Sequence, residues 1–326
     1  MCEGGKAMKK LLITRKFPEQ FVAPLREVAH VVEWTEIETA MPRDKFLAEA
    51  VEAEVIWSTL EDNIDEELLT HAPKLQMVAN LAVGYNNLDI STIKERGIIA
   101  TNTPNVLTNA TADLAFGLLI ATARRLVESA DYLRAGKWKN WSPMLLTGME
   151  VSGSTLGIIG MGRIGSAVAR RAKGFDMQVL YHNRNRKYED EEMYGFQYRA
   201  LDELLAASDF VMVLTPYTSE THHLISAPQL KQMKESAIFI NVSRGGIVDE
   251  HALYEALKNG DIWAAGLDVF QEEPVSLDHP LLTLPNVVAL PHIASASVKA
   301  RHAMLATNLE ALLTFLADDK PKNRLA

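Results

Sequence analysis

Short apolar runs alternate with amphipathic segments along almost the whole chain. In the first hundred residues the apolar runs lie at 11–13, 31–32, 55–57, 77–79 and 98–100. The segments between them, such as 42–53 and 65–71, have the spacing of amphipathic helices. Short apolar strands that alternate with helices are typical of parallel pairing, so this part predicts an α/β unit.

A second series of the same kind begins near residue 154. Its apolar runs lie at 156–159, 178–181, 210–214, 237–240, 264–269 and 287–290. Six such strands with helices between them predict one doubly wound sheet. A long helix is expected at about 110–135, between the two series, and a last helix at 295–316 could pack on either unit.

The composition agrees with two globular domains. The 326 residues are 48% hydrophobic and 23% charged, and a chain of this length can bury two cores. The net charge of -9 argues against nucleic acid and against an anionic membrane surface as partners. The longest apolar run, 114–123, is well short of the roughly 20 residues that span a bilayer.

The beginning of the chain shows no apolar signal region, and Met8 is a plausible natural start after a leader of residues 1–7. Cys2 is the only cysteine, which excludes an internal disulfide and a cysteine-based metal site. We therefore expect a cytoplasmic protein without a bound metal.

A Gly-rich turn joins the strand at 156–159 to a helix at 166–173. The turn consists of Gly160, Met161, Gly162, Arg163, Ile164 and Gly165. In this pattern the first glycine allows the tight turn, the second admits a pyrophosphate, and the third lets the helix approach the strand. A glycine-rich connection without a ligand is the alternative, but the strand–turn–helix context favours a dinucleotide.

The residues after the next strand bear on the choice between NAD(H) and NADP(H). An acidic residue at this point usually binds the ribose 2′-OH of NAD, yet Asn183, Arg184 and Asn185 follow the strand and the first carboxylate is Glu189. An arginine suits a 2′-phosphate. We therefore predict NADP(H) as the preferred cofactor, with NAD(H) possible; a solvated basic loop is the alternative interpretation.

Three chemically complementary residues follow three successive strands of the second series. They are Arg244, Glu273 and His292, and the carboxyl ends of parallel strands are where ligands of such sheets bind. Histidine can give a proton to the alkoxide that hydride transfer creates, and a carboxylate can orient its ring. The guanidinium can bind a carboxylate or polarise a carbonyl. Each has an ordinary surface or capping role as its alternative, but together they indicate a catalytic site.

Four motifs occur along the chain in a fixed order: LGIIGMGRIG at 156–165, INVSRGGIVDE at 240–250, AAGLDVFQEEP at 264–274 and NVVALPHIASAS at 286–297. They resemble those of the D-isomer-specific 2-hydroxyacid dehydrogenases, and most of all the glyoxylate/hydroxypyruvate reductases, including the 2-ketogluconate reductase branch. The resemblance implies two Rossmann-like doubly wound parallel-sheet domains with the active site in the cleft between them. Residues 9–103 plus 295–326 would form the flavodoxin-like substrate domain, and 104–294 the NAD(P)-binding domain of a homodimer.

The resemblance also implies roles for the catalytic and substrate-binding residues. Arg244 would bind the substrate carboxylate and carbonyl, His292 would be the acid/base, and Glu273 would pair with His292. The remaining substrate contacts that it implies are the backbone amides of Val83 and Gly84, Ser295, and Trp141. In the reductase branch a tryptophan from this last segment reaches the neighbouring subunit's active site, although ordinary interface packing explains Trp141 equally well.

Further cofactor contacts implied by the resemblance lie at loops after the strands and at the start of the long helix. They are Thr108, Thr215, Pro216, Val242, Ser243, Asp268 and Ala294. Asp268 matches a position near the nicotinamide carboxamide. Ala294 departs from the glycine that relatives usually carry, and its methyl group is expected to alter nicotinamide seating without abolishing activity.

The predicted function is reduction of glyoxylate or hydroxypyruvate, small 2-keto acids, to the 2-hydroxy acids with NADPH. A 2-ketogluconate or D-lactate type of dehydrogenase remains open. Phosphoglycerate and formate dehydrogenases of the same family fit less well, because no extra C-terminal domain follows and the Glu273/His292 pair indicates a keto acid. A corepressor-like protein that senses NAD(H) is the alternative from another class.

Overall fold

A computed structural model describes residues 8–37 and 39–326 of the chain. The proposed leader, 1–7, and Cys2 within it lie outside the described residues. The rest forms two compact units: one contains the described residues up to Leu107 together with Ser297–Ala326, and the other is Thr108–Ala296. These boundaries lie a few residues after the predicted ones at 103 and 294. The assignment of substrate and cofactor to the two units stays a prediction.

The first unit is built on a five-stranded parallel sheet of order β2-β1-β3-β4-β5. Each strand overlaps one of the five apolar runs found in the sequence. The strands are β1 Lys9–Ile13, β2 Ala29–Glu33, β3 Val55–Thr59, β4 Met77–Leu81 and β5 Ile99–Thr101. The four helices between them are α1 Glu19–Arg26, α2 Arg43–Ala50, α3 Glu66–His71 and α4 Ile90–Glu95. Parallel pairing with helical crossovers explains why β4 is buried at every position.

The second unit is built on a seven-stranded parallel sheet of order β12-β11-β10-β9-β6-β7-β8. The strands are β6 Thr155–Ile159, β7 Gln178–His182, β8 Gln197–Tyr198, β9 Phe210–Val213, β10 Ile238–Asn241, β11 Ala264–Leu267 and β12 Val287–Ala289. The predicted count of six strands is wrong, because the two-residue edge strand β8 contains no apolar run. The strand order reverses beside β6, so the loops after β6 and β9 flank the position where such sheets bind ligands.

Seven helices accompany this sheet: α5 Thr108–Ala123, α6 Leu126–Arg134, α7 Arg163–Lys173, α8 Tyr188–Tyr194, α9 Leu201–Ala207, α10 Ala227–Leu230 and α11 Glu250–Asn259. The single helix predicted at 110–135 is wrong. Arg125 has a left-handed backbone with φ of 50°, and the backbone N–H of Met149 donates to the carbonyl of Ala123 at 2.8 Å. A segment distant in sequence therefore terminates α5, which the apolar pattern could not reveal.

The last helix, α12 Val298–Leu316, packs on β4 and α1 of the first unit. The sequence left its location open. The buried side chain of Asn308, with its oxygen turned toward the sheet, accepts from Trp57 Nε1 at 2.9 Å and from the backbone N–H of Leu81 at 3.3 Å. These contacts satisfy a polar group that would be costly to bury alone, and they attach α12 to this sheet.

Apolar side chains cover both faces of the second sheet. One buried cluster includes Phe116, Val168 and Phe210, and the other includes Phe239, Leu253 and Leu257. In the part of the chain that the structure describes, no helix is long and apolar enough to cross a membrane.

Candidate active site

The turn that carries Arg244 is shaped by the last residue of β10, Asn241. The side-chain oxygen of Asn241 accepts from the backbone N–H and the hydroxyl of Ser243, at 3.1 and 2.9 Å, and its amide nitrogen donates to the Arg244 carbonyl at 3.0 Å. Arg244 in turn donates through Nη1 to the carbonyl of Ser243 at 2.7 Å. A fully buried asparagine thus holds the backbone on both sides of the arginine.

Gly245 brings this turn against the loop that carries Glu273. A Cβ atom at position 245 would overlap the backbone of Phe270 and Gln271. No side chain fits between the two loops. Glycine is therefore required here because two backbone segments approach closely. This approach places Arg244 near Glu273 in the loop after β11.

Asp268, the first residue after β11, organises the backbone around His292. Its two carboxylate oxygens accept from the backbone N–H groups of Ile293 and Ala294, both at 2.8 Å, and its carbonyl accepts from the N–H of His292 at 2.9 Å. His292 has a left-handed backbone with φ of 51°. This conformation is uncommon outside glycine, so the three hydrogen bonds to Asp268 account for its persistence.

His292 and Glu273 form a close pair. The distance from Nδ1 of His292 to Oε2 of Glu273 is 2.6 Å, and both side chains are mostly buried. The second oxygen of Glu273 accepts from the backbone N–H of Phe270 at 2.9 Å. Glu273 is thus held from two sides, and its contact with Nδ1 leaves Nε2 as the ring atom that can meet a substrate.

The charges of the three residues are coupled. Burial disfavours the ionised form of Glu273, but the hydrogen bond and charge of His292, the Phe270 N–H and the charge of Arg244 together hold its pKa below the usual value. Burial lowers the pKa of Arg244, and Glu273 opposes that effect. Burial raises the pKa of Asp268, although the N–H groups of Ile293 and Ala294 favour its carboxylate. The structure therefore brings together all three predicted catalytic residues, with Glu273 at the centre.

The Gly-rich turn has the geometry of a dinucleotide cradle. Gly160 has φ of 105°, and a Cβ there would lie 2.6 Å from the backbone nitrogen of Thr215. A Cβ at Gly165 would collide with the carbonyl oxygen of Gly160, whereas one at Gly162, the N-cap of α7, would meet no described atom within 4 Å. The turn is packed on one side and open on the other. These residues fit a dinucleotide whose pyrophosphate lies at the start of α7.

The other predicted cofactor contacts lie in the same unit. Thr215 and Pro216 follow β9 beside Gly160, and Thr108 begins α5 and shares a cavity with Met161 and Arg163. The backbone of Ala294 is not left-handed, so it accommodates the methyl group of alanine. Contacts with a cofactor stay predictions for these residues and for Ile164, Val242 and Ser243.

The loop after β7 contains the predicted specificity residues. Asn183 donates through Nδ2 to the carbonyl of Asn185 at 2.8 Å, which closes the loop. Arg184 is 86% exposed and its Nη1 lies 3.9 Å from Glu220. Arg186, two residues further along the loop, forms a bidentate ion pair with Glu191 at 2.7 Å.

The loop with Val83 and Gly84 is anchored within the first unit by two buried asparagines. Asn80 donates to the carbonyl of Gly84 at 3.3 Å, and Asn87 donates to the carbonyls of Thr59 and Asp62 at 3.1 and 2.9 Å. The loop therefore has a defined shape. Substrate binding by its amides, and the position of the site in a cleft, stay predictions.

The last two predicted substrate-binding residues are Ser295 and Trp141. Ser295 is half-buried one residue after Ala294, and Trp141 is 77% exposed on an irregular segment after α6. Their roles stay predictions.

Asn241, Gly245 and Asn87 are the positioning residues that sequence reasoning missed. Asn241 occurs in an Asn-x-Ser pattern, which is typical of a side chain that caps its own turn and could have indicated this role. Gly245 and Asn87 act on segments distant in sequence, so only the fold reveals them.

Comparison with known proteins agrees with this geometry. Residues 116–294 match the family model of the D-isomer specific 2-hydroxyacid dehydrogenase NAD binding domain. The glyoxylate reductase of Korarchaeum cryptofilum is 48% identical over 316 residues, covering 96% of this chain and 95% of that protein. The glyoxylate reductase of Pyrococcus furiosus is 46% identical over 316 residues, covering 96% and 94%.

A solved structure shares the fold over nearly the whole length. It is an NADPH-dependent glyoxylate/hydroxypyruvate reductase from Sinorhizobium meliloti in complex with NADP and malonate, 35% identical, with a TM-score of 0.84, covering 98% of this chain and 97% of that one. The family model, the full-length relatives and the Arg–Glu–His cluster lead to one conclusion. The chain belongs to the D-isomer-specific 2-hydroxyacid dehydrogenase family and is an NAD(P)-dependent oxidoreductase.

Proposed function

We propose that this enzyme is an NADPH-preferring reductase of glyoxylate and hydroxypyruvate, with His292 as the proton donor. The observation that carries the proposal is the 2.6 Å contact between His292 Nδ1 and Glu273, which leaves Nε2 for the substrate oxygen. The charge of Arg244 beside this pair suits a substrate with a carboxylate next to its carbonyl. Relatives at 46–48% identity that are named glyoxylate reductase support this substrate class.

The chain's own residues divide the chemistry as follows. A bound nicotinamide supplies the hydride. Arg244 binds the substrate carboxylate and polarises the carbonyl, and the backbone amides of Val83 and Gly84 contribute to carboxylate binding. His292 gives the proton on Nε2 to the carbonyl oxygen as negative charge develops there, while Glu273 orients the ring and balances the charge of the imidazolium.

The proposed cofactor preference rests on the loop after β7. No carboxylate occurs between His182 and Glu189, so the usual acidic partner of the ribose 2′-OH is missing from this loop. Arg184 supplies a positive charge instead, which favours a 2′-phosphate. The solved relative that is named NADPH-dependent supports the same preference.

Steady-state kinetics test the proposal directly. Oxidation of NADPH and of NADH is followed with glyoxylate, hydroxypyruvate, pyruvate and 2-ketogluconate. The expected result is the highest kcat/KM for glyoxylate or hydroxypyruvate with NADPH. A higher kcat/KM with NADH contradicts the cofactor preference, a higher value with pyruvate or 2-ketogluconate contradicts the substrate, and no turnover with any of them contradicts the enzymatic assignment.

We further propose that the enzyme is a homodimer and that Trp141 of one subunit completes the substrate site of the other. Large apolar side chains are exposed along α6 and the segment after it: Leu126, Leu133, Trp138, Trp141 and Met144. Beside them a groove of about 570 Å³ is lined by residues that include Tyr132, Trp263 and Pro285. Aromatic and apolar surface of this kind is typical of an interface between subunits.

The cytoplasm is the proposed location, because one cysteine in 326 residues suits a reducing compartment.

A further inference from the structure

Glu250 ends the motif at 240–250 and has no part in the proposed proton transfer. It is the first residue of α11, which Asp249 caps by accepting from the backbone N–H of Ala252 at 3.0 Å. A carboxylate in the first turn of a helix is favourable by itself. The side chain of Glu250, however, is only 14% exposed, and both of its oxygens have partners outside α11. A contribution to the helix alone therefore does not explain its position.

One oxygen of Glu250 holds the loop after β11. Its Oε1 accepts from the backbone N–H of Gln271 at 2.7 Å. The preceding N–H of this loop, that of Phe270, donates to Oε1 of Glu273 at 2.9 Å. Two consecutive N–H groups therefore have different tasks: the first fixes the carboxylate of Glu273, and the second attaches the loop to Glu250.

The other oxygen of Glu250 contacts His279, which follows the same loop. The distance from Nε2 of His279 to Oε2 of Glu250 is 3.2 Å, and the imidazole meets the ring of Phe270 edge-on, with 5.9 Å between the centroids. Among residues 8–37 and 39–326, Nδ1 of His279 is buried without a hydrogen-bond partner, which leaves Nε2 as the engaged nitrogen of this ring. Two contacts, one on each oxygen, thus fix the carboxylate of Glu250.

The segment from Gly245 to Glu250 contacts the loop after β11 at both of its ends. At its beginning, the backbone of Gly245 lies against the backbone of Phe270 and Gln271. At its end, the carboxylate of Glu250 accepts from the Gln271 N–H. Between the two contacts the N–H of Val248 donates to the carbonyl of Gly245 at 2.9 Å, which gives the segment a defined shape. The loop is therefore held by one backbone contact and one side-chain contact of the same segment.

We propose that Glu250 is a positioning residue, which fixes the loop after β11 so that Glu273 meets Nδ1 of His292. The inference rests on the proposed function, in which Glu273 orients the proton donor. Glu250 acts through the backbone of Gln271 and takes no proton in the reaction. Without this acceptor the loop loses its contact with α11. Because the pair of Glu273 and His292 depends on a contact of 2.6 Å, a small shift of the loop leaves the ring poorly oriented.

The test measures kcat for glyoxylate with NADPH in Glu250→Ala, Glu250→Asp and Glu250→Gln. Alanine removes the acceptor of the Gln271 N–H, aspartate withdraws it by one methylene group but keeps the charge at the start of α11, and glutamine keeps an oxygen in place. We expect kcat to fall by about 10- to 100-fold in Glu250→Ala and Glu250→Asp, as for a displaced catalytic group. In Glu250→Gln it should stay within about threefold of the wild type, since the neutral acceptor still binds the N–H. KM for NADPH should change by less than about twofold, because the cofactor cradle is not altered.

The same variants in a Glu273→Gln background distinguish positioning from a general structural role. If Glu250 acts through Glu273, the loss of kcat in Glu250→Ala should shrink to about twofold or less in that background, because residues that act as a unit are not additive. Asp202→Ala removes an exposed carboxylate from the first turn of α9 and is the matched control. It should match the wild type in both backgrounds.

Amide hydrogen exchange of residues 268–276 gives a readout that does not depend on turnover. We expect this segment to exchange faster in Glu250→Ala and Glu250→Asp than in the wild type and Glu250→Gln. An equal loss of kcat in both backgrounds, or unchanged exchange of the segment in Glu250→Ala and Glu250→Asp, overturns the inference while the proposed function stands. If the wild type reduces no 2-keto acid, the proposed function fails, and the exchange measurement still decides whether Glu250 holds the loop.

Discussion

At the scale of single residues, the site depends on how His292 is held. Its left-handed backbone costs on the order of 1–3 kcal/mol in a non-glycine residue, and the carboxylate and carbonyl of Asp268 offset that cost with three hydrogen bonds. The ring is then oriented by Glu273 through Nδ1. Asp268 therefore supports the histidine loop, and its contact with a nicotinamide stays a prediction.

Replacement of His292 tests the proton donor. In His292→Gln we expect kcat with glyoxylate to fall by about 10² to 10⁴, the usual contribution of a positioned acid, with KM for NADPH little changed. His30→Gln, an exposed histidine of β2, is the matched control. Near-wild-type turnover in His292→Gln would show that another group gives the proton.

Replacement of Glu273 tests how much the Glu273–His292 pair contributes to the stability of the fold and how that contribution depends on pH. Because the pKa of Glu273 lies below its ordinary value of 4.5 in the folded protein, its carboxylate stabilises the fold fully above that value. The contribution is lost as the pH falls through the lowered value. In Glu273→Gln we expect the free energy of unfolding at pH 7 to be lower by about 1–3 kcal/mol, the range for a hydrogen bond to a charged group.

Urea unfolding of both proteins between pH 7 and pH 3 measures the effect. The difference between the wild type and Glu273→Gln should be constant from pH 7 to about 5 and should shrink below 4.5. A difference that grows on acidification would contradict the assignment of Glu273 as the ionised partner.

At the scale of elements, the site is assembled by loops that follow parallel strands and touch one another. Gly245 is the point at which the loop after β10 meets the loop after β11, with no room for a side chain. The Gly-rich turn after β6 meets the loop after β9 in the same way, through Gly160 and Thr215. Glycines therefore set the spacing of these loops.

Substitution at Gly245 tests whether the two loops require a residue without a side chain at this position. In Gly245→Ala the new methyl group would collide with the backbone of Phe270, so we expect a loss of at least about 3 kcal/mol of stability, or no folded protein. Gly117→Ala, inside α5 with no neighbouring atom within 4 Å among the described residues, is the control. It should be neutral or stabilising by about 0.5–1 kcal/mol. Thermal unfolding measures both, and a stable, active Gly245→Ala would contradict the close approach.

Asn87 is expected to position the predicted carboxylate-binding loop. Asn87→Ala removes the side-chain amide that donates to the carbonyls of Thr59 and Asp62, and it removes a neighbour of Asn80, which donates to the carbonyl of Gly84. We expect KM for glyoxylate to rise about tenfold, as for loss of a contact of about 1.4 kcal/mol, while KM for NADPH stays within twofold. Asn63→Ala, an exposed residue nearby, is the control. Equal increases in both KM values would indicate a general loss of structure instead.

At the scale of the whole molecule, the proposed dimer makes each active site depend on two subunits. Mixed dimers of Trp141→Ala and His292→Gln test this. Each variant alone should have low activity toward hydroxypyruvate. In a mixed dimer, the subunit with an intact His292 receives an intact Trp141 from its partner, so activity should return to about half of the wild-type value per dimer. Additive activities of the two variants, or a monomer in light scattering, would contradict the proposal.

Much of the molecule is predictable from the chain because parallel α/β units have a strong sequence pattern. Strands buried on both faces read as short apolar runs, so all but the two-residue β8 could be found. The Gly-rich turn and the three predicted catalytic residues follow from motifs that are local in sequence. The break at Arg125 could not be found, since it depends on the contact between Met149 and the end of α5.

By itself, the sequence determined the fold class, the Gly-rich turn and the identity of Arg244, Glu273 and His292, because strand periodicity and short motifs are encoded by neighbouring residues. Only the tertiary structure decided that Asp268 supports the backbone of His292, that Gly245 separates two loops, and that α12 packs with the first unit. The same holds for the basic loop after β7. The sequence shows three cations there, and the fold distinguishes an exposed Arg184, a paired Arg186 and a Lys187 that lines the cavity beside the Gly-rich turn. The physical reason is that these properties arise from contacts between segments far apart in the chain, whose partners no local pattern specifies.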